Sequence, residues 1–141
     1  MPSERFDRLF TPTEANELIP RLEVLMRELQ LEATHLRTTV ADLTRADREL
    51  VGADFSQLME LSPELKEIAN RMADMAAQIE SFGCVLKDIE QGLVDFPFDS
   101  EGEVAFLCWQ YGEPHVIAWH SIEGGFDSRR PLRGAPKTYL N

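Results

Sequence analysis

The chain has 141 residues, with 14 Lys plus Arg against 25 Asp plus Glu, a net charge of -11, and 43% hydrophobic residues. That length fits one domain with a real core, and the apolar content excludes a solvated disordered chain. The acidic balance argues against nucleic acid and anionic membrane as partners. The charged start (Glu4, Arg5, Asp7, Arg8) and a longest apolar run of only Val104 to Trp109 lead us to expect neither signal peptide nor membrane span. Two cysteines, Cys84 and Cys108, are too few for a disulfide scaffold, so a cytoplasmic location is expected.

Thr11-Pro12-Thr13-Glu14 reads as a helix start, with an N-cap, proline in the first turn and a glutamate three residues after the cap. Leu22, Leu29, Leu36, Leu43 and Leu50 then recur every seventh residue, and Met26, Ala33 and Val40 follow four positions behind three of them. An unbroken helix from Leu22 to Leu50 would be about 43 Å long. Pro20 predicts a kink near Glu17 to Pro20 or a helix that restarts there. Gly52 and Asp54 break the pattern between Val51 and Ser62, and Ser62-Pro63-Glu64 caps a second helix. Its apolar residues, Leu65, Ile68, Met72, Met75, Ile79 and Phe82, form a complete a/d seam that ends at Gly83.

After Gly83 the period becomes strand-like. Val85 to Lys87 and Leu93 to Phe96 flank a turn at Asp88 to Gly92, with Pro97 expected to stop the second strand or place it at an edge. Val104 to Trp109 and Val116 to Trp119 supply two more strands. The expected fold is α+β: a long antiparallel, coiled-coil-like helical hairpin over 11–82, an antiparallel sheet of about four strands over 83–123, and an irregular tail over 124–141. That tail carries Arg129, Arg130, Arg133 and Lys137. Apolar seam left over from the hairpin would make the protein a homodimer.

Phosphate loops, dinucleotide fingerprints, nucleophile elbows and zinc-protease motifs are absent from the sequence. What remains is a concentration of chemically capable residues in the last third. Asp88, Asp95, Glu113, His120 and Glu123 are the candidate ligands for a divalent metal, with His120 and two carboxylates as an acid/base alternative. The bland account makes His120 a structural histidine satisfied by a carboxylate. Cys84 and Cys108 could join His115 and His120 as thiolate ligands or be buried reduced thiols, and the lack of a Cys-x-x-Cys pair favours the latter. Arg129 and Arg130 could bind an anion or pair with Asp127 or Glu123. Whether Asp95 and His120 are neighbours depends on strand register, which the sequence leaves open.

Phe10-Thr11, Glu14-Ala15-Asn16 and Pro20, then Lys87-Asp88, Gly92-Leu93-Val94-Asp95-Phe96-Pro97, Leu107-Cys108-Trp109, Gly112-Glu113-Pro114, Trp119-His120, Gly125-Phe126 and Arg129 to Pro131 resemble the bacterial family known as domain of unknown function 2203. The resemblance covers nearly the whole chain, and its specific part is the latter half. It implies a small cytoplasmic bacterial protein with no assigned activity, and so brings no catalytic residue to carry over. The leading expectation is therefore a non-enzymatic oligomeric interaction module. A divalent-metal-binding protein or metal-dependent hydrolase is the alternative.

Overall fold

The computed structural model describes residues 6–125 and 128–132. Three helices precede an antiparallel sheet, so the fold is α+β. Helix α1 spans Pro12–Ala46 and starts where the sequence marks it. Thr11 accepts from the Glu14 amide, and the Glu14 carboxylate accepts from the Thr11 amide. These bonds satisfy two of the donors that every helix start leaves open. α1 continues through Pro20 as a single element, which overturns the expected restart. Pro20 is exposed, so its ring and the break it makes in the hydrogen-bond ladder face water rather than the core.

The buried face of α1 runs Ala15, Ile19, Leu22, Met26, Leu29 and Ala33, alternating steps of four and three. Farther along, Leu36, Val40 and Leu43 are only half-buried. α1 ends at Ala46, short of the expected Leu50, where a 3-10 turn at Arg48–Leu50 follows, and helix α2, Phe55–Leu61, occupies the stretch from Val51 to Ser62 expected to be a break. A capping box of Asp54 and Gln57 starts α2. Helix α3, Pro63–Ser81, is capped by Ser62, which accepts from the Leu65 amide. It packs on α1, with Glu32 accepting from Arg71 and His35 paired with Glu64 at 3.1 Å.

The sheet has five strands rather than four, in the order β1 (Val85–Asp88), β2 (Leu93–Ser100), β3 (Glu103–Gln110), β4 (Ala118–Ser121) and β5 (Arg130–Pro131). β5 lies inside the segment expected to be irregular, pairing Arg130 with Trp119 and Pro131 with Ala118. Arg133 and Lys137 of the expected basic tail lie outside the described residues. Pro97 neither stops β2 nor lies at its end, since the ladder with β3 continues to Ser100 opposite Glu103. In an extended chain a residue's N–H and C=O point the same way, and the Pro97 carbonyl accepts from the Phe10 amide at 2.7 Å. The missing N–H therefore faces away from β3, beyond the end of short β1, and no ladder bond is lost.

One face of the sheet meets the helices. Val94, Phe96, Leu107 and Trp109 join Ile19, Leu22, Met26, Leu29 and Ile79 in a buried cluster. Two amides from α1 hold the sheet from that side: Gln30 Nε2 donates to the Ile89 and Glu90 carbonyls in the β1–β2 turn, and Asn16 Oδ1 accepts from the Val116 amide ahead of β4. The β1–β2 turn closes at Gly92, whose φ is 70°. A Cβ there would lie 2.5 Å from that of Tyr111, whereas one at Gly102, φ 91°, would meet nothing within 4 Å. Gly92→Ala should thus lower stability by more than the roughly 1–2 kcal/mol of a left-handed backbone alone, and Gly102→Ala by about that amount. Urea denaturation of the two variants checks the order, and equal midpoints would refute it.

Candidate metal centre

Strand parity places the polar groups. Side chains alternate across a strand, so the neighbours of Val94, Phe96, Leu107 and Trp109 point to the face turned away from the helical cluster. Asp95 on β2 lies directly opposite Cys108 on β3. Ala118 on β4 lies opposite Cys108, and His120, two residues on, lies opposite Phe106 on the same face. Asp95, Cys108 and His120 are 3%, 1% and 4% exposed, so a carboxylate, a thiol and an imidazole share one dry patch. One possible ligand atom from each lies within 4.8 Å of the others. Phe6 packs edge-on against Phe106 at 5.6 Å and helps cover this face.

His120 is held at both nitrogens. Nδ1 is 2.8 Å from the Ser121 carbonyl and Nε2 is 3.1 Å from Asp95 Oδ2. A carbonyl only accepts, so Nδ1 carries a hydrogen and Nε2 faces the carboxylate. Without a metal the two groups must share a proton there, as imidazolium and carboxylate or as imidazole and carboxylic acid. A backbone carbonyl on Nδ1 is also the arrangement that aims Nε2 at a metal ion.

Burial pushes the Asp95 carboxyl above its usual range, against the opposing pull of His120 and then Lys87. Burial also drives the Cys108 thiol up to about 12; the Asp95 charge adds to this, and Arg129 opposes it. Cys108 is therefore a neutral thiol until a cation displaces its proton. The three donors are nitrogen, oxygen and sulfur, a set suited to zinc and its first-row neighbours and unsuited to magnesium or calcium, which take oxygen. Two ligands on one tetrahedral ion at 2.0–2.1 Å lie about 3.3 Å apart, close to the observed separation of His120 from Asp95.

Of the five carboxylate and histidine candidates, the structure brings together Asp95 and His120. Asp88 accepts from the Gln91 amide and stabilises the turn. Glu113 accepts from the Gln110 amide and from Arg129 at 2.8 Å, and its carbonyl accepts from Trp109 Nε1. Glu123 is exposed. Arg129 has Glu113 as a partner, an acid the sequence did not single out for it, and of the two acids expected to pair with the arginines Asp127 lies outside the described residues; Arg130 stacks over Trp119 at 5.4 Å. The two cysteines are free and do not meet: Cys84 belongs to the helical-side cluster and donates to the Ile79 carbonyl.

Cys108 joins Asp95 and His120, without the Cys84 and His115 it was paired with in the thiolate alternative, and Lys87, not a candidate from sequence, lies beside them. Lys87 Nζ lies 3.9 Å from Asp95 Oδ2. The available signal was parity: Asp95 and Cys108 each interrupt an apolar run and His120 ends one, at positions out of step with its largest side chains.

A family model described as "Uncharacterized conserved protein (DUF2203)" matches residues 8–132. Neither a curated protein nor a solved structure matches the chain.

Proposed function

Because the chain belongs to the DUF2203 family of uncharacterised conserved proteins, which brings no activity with it, we propose a function from the site itself: the protein binds a divalent transition-metal ion through Asp95, Cys108 and His120. The observation that carries this is the convergence of three different donors on a buried sheet face. Ser121 and the strand ladder orient them. A bound ion would supply Lewis acidity at a position reachable from the adjoining cavity. The protein's own part is to orient the imidazole, give up the thiol proton and keep bulk water out.

The test is cobalt(II) or zinc binding by the whole chain, followed by equilibrium dialysis and, for cobalt, by visible absorption. Binding replaces a thiol proton held up to a pKa of about 12, so affinity rises with pH throughout the accessible range. The Cys108 proton alone gives about tenfold per pH unit. Affinity that does not change between pH 6 and pH 8, or no binding at all, would count against the site.

We also infer that the helices form an antiparallel hairpin through which two copies associate. Residue 32 pairs with 71 and residue 35 with 64, the order expected of antiparallel neighbours. Val24 and Leu31, one heptad apart on α1, are 49% and 66% exposed. Light scattering should then give a dimer mass that falls to a monomer in Leu31→Lys. A monomeric wild-type chain would dismiss this association.

A further inference from the structure

Three protein donors leave one position of a four-coordinate ion to be filled from elsewhere, which is how zinc sites that act on a ligand differ from closed structural ones. A cavity of about 190 Å³ adjoins the donors, with Asp95, Cys108 and His120 on its wall. At about 30 Å³ per water it has room for about six waters, short of the roughly 300 Å³ at which drug-sized pockets begin. Its natural occupant is small.

The wall also fixes the occupant's charge. Among the described residues Lys87 is the ammonium or guanidinium group that lines it, alongside Leu93, Ile122 and two glycines. The ammonium lies 3.9 Å from Asp95, beyond hydrogen-bond distance, and the side chain is 48% exposed. Its head can therefore swing across the mouth while its stem stays on the sheet. A divalent ion held by one carboxylate and one thiolate is neutralised by them, so the charge of Lys87 is left over inside the loaded pocket.

We propose that this pocket binds a small oxyanion, a carboxylate or phosphate, with the metal ion as one anchor and Lys87 as the other. The proposal rests on the metal-binding function above and adds the chemical class of its ligand.

The experiment loads the full-length chain with cobalt(II) and titrates it with acetate and with inorganic phosphate, reading the cobalt bands and the sulfur-to-cobalt charge-transfer absorption. A saturable change in the cobalt bands by at least one of the anions is expected. Lys87→Met should weaken that response about tenfold, the loss of one charge-assisted hydrogen bond, while cobalt binding itself should not weaken, because the change removes a positive charge 3.9 Å from Asp95. Cobalt bands that form but ignore both anions would overturn the oxyanion site and leave the metal function standing. A response of equal strength in Lys87→Met would overturn the role of Lys87. Failure to form the bands at all would overturn both the metal function and the oxyanion site that rests on it.

Discussion

Zinc present at a thousandfold excess over its dissociation constant should stabilise the folded chain by about 4 kcal/mol, a rise in melting temperature on the order of 10 °C. The effect should vanish in Asp95→Asn, which is the informative variant. An asparagine amide can donate to His120 Nε2 and so preserve the bond that now joins residues 95 and 120, but it lacks the anionic oxygen that an ion needs. His120→Ala is less clean, because it strands Asp95 in a site where it is 3% exposed. Removing one partner of a buried pair costs about 3–5 kcal/mol even without metal. Differential scanning fluorimetry with and without zinc separates the two effects. An Asp95→Asn protein that zinc still protects fully would remove the carboxylate from the ligand set.

Trp109→Ala should be the most damaging single change outside the site. The indole is fully buried against the helix-facing cluster and meets Tyr111 edge-on. Its Nε1 donates to the Glu113 carbonyl at 2.8 Å. Truncation loses about 3–5 kcal/mol, a large share of the roughly 5–15 kcal/mol that a domain possesses. Trp109→Phe retains most of the packing and loses the hydrogen bond, for about 1–3 kcal/mol. Denaturant titration followed by far-ultraviolet circular dichroism measures both. An alanine variant within 1 kcal/mol of wild type would mean that the helices and sheet are held together elsewhere.

Local chemistry was legible in the sequence and pairing between distant segments was not. Thr11 with Glu14, and Ser62 with Pro63, announce α1 and α3 because a cap is written within four residues. Asp54 with Gln57 carries the same signature, but a helix of 7 residues is too short for periodicity to reinforce it. β5 has two residues, one of them proline, and depends wholly on its neighbour β4. Pro97 misled because the cost of a proline in a strand depends on which side its nitrogen faces, and that is set by where β1 ends. At the site, Asp95 and His120 were visible as unusual residues. Their meeting required the register of three strands, which also carries Cys108 into place. Arg129 reaches Glu113 across 16 residues, a choice that nearer acids in the sequence concealed.

The contact between Asn16 and Val116 spans 100 residues and joins the start of α1 to the approach of β4. Bringing such distant points together carries a loop-closure cost that local helix formation does not. On the ribosome, α1 emerges long before the strands that must cover Leu22, Met26 and Leu29. The nascent chain therefore carries an uncovered apolar helix face until β2 and β3 have emerged, a period in which a chaperone would find its binding surface.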